Sequence, residues 1–354
     1  MLTRWFSGIN GIRLGVLLVL CLQNSLFTVL RRYSQGVLQE KYSTYECLLV
    51  QEVFKLGFSA WMIAKEQKFE DKQALNRHLW HLINTSKKML VLALIYGIMN
   101  ILGFLALRNI GAGVFTVFAQ TKILTTATFS RIMLRRQYSA TKWRALIALV
   151  FGVLLFSEPI WTDSSNLYSN LEGASPIVGV TAVLIEVTMS GFASIYFEKV
   201  IKADAKNLTI WERNVQLAFG SLPIYFCFIA VEGGGQAGLG GGWSLTALTV
   251  AILGAAGGLL VALSIKYGDA ILKTLATTGA IVLSSFLDHA VLGGPLTPVM
   301  MIAGAQVVIS ICNYTFDASP PMEAPKEKES ERPTSPPSTD NEDEEVALVS
   351  SASR

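Results

Sequence analysis

Lys122 is the residue whose chemistry the rest of the sequence has to explain. It lies within Val114–Leu134, VFTVFAQTKILTTATFSRIML, a run that is otherwise almost wholly apolar. Gln120 and Thr121 precede it, and Thr125 and Thr126 follow. As a helix the run matches one bilayer crossing of about 20 residues. A lysine near the centre of such a helix costs roughly 2.5–3.5 kcal/mol on insertion scales. It needs either a buried carboxylate, which makes a structural ion pair, or a water-filled cavity, which suits an anion.

Other polar residues interrupt the apolar runs. Lys273 sits about one turn inside the run 270–292, where it can snorkel to the interface or face the same anion. Glu52 and Lys55 stand three apart on one helical face, so they either neutralise each other or shape a cavity. Glu186 is isolated and requires a partner from another helix. Tyr96 and Asn100, four apart, share a face. An aromatic ring for stacking beside an amide for hydrogen bonding is what a nucleobase uses, although ordinary helix packing also employs such pairs. Asn214, beside Glu212 and Arg213, is comparable. Ser190-Gly191 and Gly254–Gly258 (GAAGG) are small-residue patches that allow helices to approach closely.

Enzymatic chemistry has little foothold. His78, His81 and His289 form no triad or ligand spacing, and Cys21, Cys47, Cys227 and Cys312 are far apart. No metal site, disulfide framework, Walker A or GxGxxG pattern follows. The expectation is a protein that is not an enzyme and uses neither metal nor cofactor nor nucleic acid.

The elements that position these residues are membrane helices. Hydrophobic residues make up 51% of the 354 and charged residues only 16%, against about a quarter charged in soluble domains. Ten spans are expected, near 12–30, 44–64, 89–107, 110–134, 142–159, 176–199, 209–231, 244–265, 270–292 and 296–316. None alternates with period two, so helices rather than a barrel are predicted. The first, although preceded by Arg4 and Arg13, is too long for a signal peptide and lacks a cleavage site.

Basic loops at 65–88, 135–144 and after 199 alternate with base-free loops at 157–175, 232–243 and 293–296. That places both termini in the cytosol, with Arg31, Arg32, Lys41 and Arg108 dissenting. The sequons at Asn84, Asn207 and Asn313 then fall on the cytosolic side and stay unused. Residues 317–354 hold ten acids and four bases, with many Pro and Ser, and read as a disordered cytosolic tail. The 1–316 domain is correspondingly basic, which suits anionic lipid headgroups as well as an anionic substrate.

The ten spans divide five and five, about 12–159 and 176–316. KILTTATFS from Lys122 echoes KTLATTGAI from Lys273. An odd number of spans per half inverts one copy, an arrangement common in alternating-access transporters with a midplane site.

Four stretches carry a family resemblance: Ala119–Ser130 (AQTKILTTATFS), Ser190–Lys202 (SGFASIYFEKVIK), Ile210–Gln216 (IWERNVQ) and Gly257–Lys273 (GGLLVALSIKYGDAILK). They resemble the signature stretches of Golgi nucleotide-sugar transporters, in the branch of CMP-sialic acid, UDP-galactose and UDP-N-acetylglucosamine carriers. The resemblance runs from the first span to the tenth. It implies the ten-helix drug/metabolite transporter fold in the Golgi membrane and exchange of a cytosolic nucleotide sugar for a lumenal nucleoside monophosphate. By the same resemblance Lys122 and Lys273 contact phosphate, while Tyr96, Asn100, Asn214, Ser190, Glu52 and Lys55 match pocket positions. Phe115 stands where a tyrosine is usual, and Met99-Asn100-Ile101 replaces Gln-Asn-Asn, so base and sugar stay unassigned. Alternatives are a carrier of another organic anion such as a sugar phosphate, or a non-transporting Golgi scaffold. The small-residue patches suit packing within one chain or in a homodimer.

Overall fold

The computed structural model describes residues 9–67, 69, 71–159, 175–203, 208–232 and 238–320. Among these every regular element is helical. α1 spans Ile9–Arg32 and continues into a π-helical turn, Tyr33–Val37. There follow α2 (Thr44–Gln67), α3 (Lys72–Asn84), α4 (Lys87–Asn109), α5 (Ala112–Ala119), α6 (Lys122–Leu134) and α7 (Ala140–Phe156). The rest are α8 (Pro176–Ala203), α9 (Ile210–Glu232), α10 (Leu245–Tyr267), α11 (Ala270–Leu292) and α12 (Pro298–Thr315). Eight of them, α1, α2, α4 and α8–α12, are long and apolar enough to cross a membrane. α7 is slightly shorter, at 17 residues. Large apolar side chains such as Trp61, Phe104, Phe151 and Ile302 point outward and exposed, as lipid-facing surfaces require. The tail beyond residue 320, the sequon at Asn207 and most of the loop 157–175 lie outside the described residues.

Caps explain several boundaries. Ser139, Ser244, Asp269 and Thr297 accept the amides of Lys142, Ala247, Leu272 and Met300, starting α7, α10, α11 and α12. Gly293, at φ +67°, ends α11 in the left-handed conformation that glycine adopts without strain.

Two expectations need correction. The run 110–134 is not one helix: α5 stops at Ala119 and α6 starts at Lys122, with Gln120 and Thr121 in a turn. Both the amide and the hydroxyl of Thr121 donate to the Phe118 carbonyl, at 3.0 and 2.7 Å. A hydroxyl side chain competing for backbone groups breaks the i→i−4 ladder at this point. The basic loop 65–88, in turn, contains α3. Leu75, Leu79 and Leu82 share one face of α3 and join a cluster with Ile63 and Val215, so the loop is folded onto the bundle.

The principal packed pairs are α4 with α8 and α9, α2 with α9 and α10, α1 with α10 and α11, α6 with α8, and α7 with α12. The largest apolar cluster joins Leu146, Leu149 and Val153 of α7 to Ala303 and Val307 of α12, and extends through Ile123 of α6 to Leu275 of α11.

Candidate functional site

The break between α5 and α6 makes Lys122 the first residue of a helix. One turn on, the Thr125 hydroxyl donates to the Lys122 carbonyl and, across the interface, to Val187 of α8, both at 3.1 Å. A Cβ at Gly191 would lie 2.6 Å from Thr125 Oγ1 and 2.8 Å from its carbonyl carbon. Only glycine admits that approach, and it fixes α8 against α6 just beyond Lys122. Ser190 is half-buried at the same crossing.

Lys122 is surrounded by protein atoms, yet its surface is open to water. Its side chain thus lies in a recess among protein atoms while keeping accessible surface. Lys273, in the first turn of α11, is half-buried in the same sense, and it lies within reach of the Lys122 charge. The structure therefore brings the two lysines together. Among the described residues neither makes a salt bridge of 4 Å or less. The carboxylate whose field reaches Lys122 is Glu186 of α8, the partner that the sequence could not name. Glu186 Oε2 is buried and has no hydrogen-bond partner.

A second group lies on α2, α4 and α9. Lys55 Nζ pairs with Glu52 Oε1 at 2.6 Å, so this pair neutralises itself. Glu52 Oε2 is left buried and without a hydrogen bond. The Glu52 charge reaches both Tyr96 and Tyr225, and the Tyr225 hydroxyl meets the Asn100 side chain. Tyr225 was missed by sequence reasoning. It lies eleven residues, about three turns, beyond Asn214 on the same face of α9, and that periodicity could have found it. Asn214 is 5% exposed, with Nδ2 buried and unpartnered. Phe115 stands apart from these groups, in an apolar cluster with Val114, Phe118, Ala182 and Val183.

The quoted motifs also include residues with structural work. Arg135, at φ +52°, turns the chain out of α6 so that Arg136 reaches α8. Arg136 Nη2 and Lys202 Nζ bond the fully buried Glu198 at 2.5 and 2.6 Å. Glu198 Oε2 also accepts the Ala270 amide at 3.0 Å, and Lys202 donates to the Gly268 carbonyl. Burial opposes the charge of Arg136, but Glu198 and Asp269 outweigh it and raise its hold on the proton. Elsewhere His78 contacts Glu212 at 2.6 Å, and Gln216 Nε2 donates to the Leu82 carbonyl, pinning α3 to α9. Lys266 lies exposed over the Tyr267 ring, 5.4 Å from its centroid.

A bundle of helices long and apolar enough to cross a membrane, with two lysines within reach of each other's charge, fits a carrier-like class of membrane protein. The chain belongs to the nucleotide-sugar transporter family, a family of transporters rather than enzymes, whose model matches residues 9–315. It is 34% identical over 316 residues to the UDP-N-acetylglucosamine/UDP-N-acetylgalactosamine transporter of Caenorhabditis elegans, covering 85% of this chain and 92% of that one. The human UDP-N-acetylglucosamine transporter is 32% identical, with 89% and 98% covered. A UDP-galactose/UDP-N-acetylglucosamine transporter of Caenorhabditis elegans is 35% identical, with 78% and 75% covered. A crystal structure of a 17% identical protein shares the fold at a TM-score of 0.57, covering 84% of this chain and 96% of that one.

Proposed function

We propose that the protein is an antiporter that carries a UDP-sugar, such as UDP-N-acetylglucosamine or UDP-galactose, into the Golgi lumen in exchange for UMP. The observation that carries this reading is that Lys122 and Lys273 lie within reach of each other's charge, neither held in a salt bridge among the described residues. Two cations in a medium of low effective dielectric attract phosphate far more strongly than they would in water. Tyr96, Asn100, Tyr225 and Asn214 provide rings and amides for the base, with Glu52 and Lys55 between them and α10. The relatives named above carry UDP-sugars, which favours uracil over cytosine and so over CMP-sialic acid.

Ten spans follow if α5 and α6 together make the fourth and α7 the fifth. Support for two inverted five-span repeats comes from the packing. Spans 1–8, 1–9 and 2–8 pack together, and so do their counterparts 6–3, 6–4 and 7–3; the pairs 2–7 and 5–10 map onto themselves. Exchanging the halves leaves this set of contacts unchanged, as a twofold axis in the membrane plane requires. The basic loops then place both termini in the cytosol.

Exchange rests on the lysines. Each transported species brings phosphate to them, whereas an empty cavity leaves two cations facing each other during reorientation. Purified protein in liposomes preloaded with UMP takes up UDP-N-acetylglucosamine or UDP-galactose much faster than in liposomes preloaded with buffer. Equal rates refute obligatory exchange, and uptake insensitive to external UMP refutes the nucleotide site.

A further inference from the structure

The glycines of α10 are expected to bring helices together, yet three of them receive polar side chains instead. A Cβ at Gly254 would lie 2.5 Å from the Gln51 amide, and one at Gly257 would lie 2.5 Å from Gln23 Nε2. At Gly258 it would lie 2.7 Å from Lys55 Cδ. Bare backbone thus leaves room for two amides of α1 and α2 in an apolar bundle.

Beside them is a cavity of about 160 Å³ lined by Gln23, Asn24, Gln51, Thr277 and the three glycines, with apolar residues between. Gln23 is 8% exposed. Its Nε2 donates to the Leu253 carbonyl at 2.8 Å, which fixes the orientation of the amide. Its Oε1 is buried without a partner, and an orphaned buried acceptor is costly unless some other group donates to it. Gln51 is held only by a 3.5 Å contact to Cys47 Sγ, so its amide is available. None of the lining residues is charged. The space is below the roughly 300 Å³ at which whole-ligand pockets begin, so it takes one small polar group.

The cavity lies beside both groups of candidate residues. Gly258 carries the Lys55 side chain, and Thr277 lies one turn beyond Lys273 on the same face of α11. The base-binding candidates lie on α4 and α9, beyond Glu52. We infer that the α1–α2–α10 cavity is the subsite for the uncharged hexose of the nucleotide sugar, with Gln23 and Gln51 as its specificity-determining residues. The inference rests on the nucleotide-sugar reading above. Amides both donate and accept, as sugar hydroxyls do, and the cation at the cavity's edge, Lys55, is already paired with Glu52, which disfavours the carboxylate of a sialic acid.

The test separates sugar from nucleotide. Full-length protein carrying Gln23→Leu or Gln51→Leu is reconstituted and assayed for UMP/UMP exchange and for UDP-N-acetylglucosamine/UMP exchange. The sugar-dependent reaction falls about tenfold in kcat/KM, the scale of one or two lost hydrogen bonds, while UMP/UMP exchange stays within about twofold. Gly257→Ala, which crowds the Gln23 amide, shows the same selective loss while retaining thermal stabilisation by UMP. Equal losses in both reactions, or unchanged UDP-N-acetylglucosamine exchange, overturn the inference. Absence of UMP exchange in the unsubstituted protein overturns instead the nucleotide reading on which it stands.

Discussion

The helices that carry the two lysines have the same short motif and solve different problems with it. α11 is unbroken from Ala270 to Leu292, and Lys273 projects from its first turn, just after the Asp269 cap. The equivalent stretch in the first half is divided into α5 and α6, and Lys122 opens the second piece. Lys122 has a carboxylate within reach, Glu186, whereas the charge that Lys273 meets is that of Lys122. One lysine is thus partly compensated by a protein carboxylate and the other is not. The difference teaches that similar short motifs can be put to different uses, because the environment of each lysine sets its role.

The sharpest break of this comparison is Lys122→Ala. It removes a proposed phosphate contact and also leaves Glu186 facing the incoming anion. UDP-sugar uptake falls about 100-fold or more, the scale of truncating one partner of a desolvated charge pair. Adding Glu186→Gln to that variant recovers part of the loss; no recovery means that Glu186 does not face the ligand. Lys273→Ala comes next. It leaves Lys122 and Glu186 nearly neutral together, and uptake falls about tenfold, as for one lost charged hydrogen bond. A larger loss than for Lys122→Ala reverses the ranking of the two lysines. Glu186→Gln alone has the smallest effect and the opposite sign. Removing the competing carboxylate lowers the KM for UDP-sugar about threefold, by relieving a repulsion acting through a partly screened medium. A raised KM refutes competition between Glu186 and phosphate.

Much of the fold was legible because it is written locally. α11 begins at Ala270 and ends at Leu292 where the sequence placed them, since Asp269 caps one end and Gly293 stops the other. The apolar runs show the membrane class, and the lysine in Val114–Leu134 directs attention to the centre of the bundle. The break at Gln120–Thr121 was not foreseen, because neither glycine nor proline marks it; the only sign is polarity inside an apolar run. What stayed hidden depends on contacts between distant segments. Glu186 acquires meaning only once Gly191 lets α8 meet Thr125. Tyr225 matters only beside Asn100. Gln23 and Gln51 drew no attention in the sequence, and they gain a role only once the glycines of α10 are placed against them.

Glu198 has a kinetic consequence. It joins Arg136 after α6, Lys202 at the end of α8 and the amide that opens α11. A swing that parts α6 from α11 at this end must break the hold of a fully buried carboxylate on either Arg136 or the Ala270 amide, while Lys202, on the same helix as Glu198, stays with it. Bonds of that kind are costly to separate before water can replace them. The knot therefore opposes opening at this end.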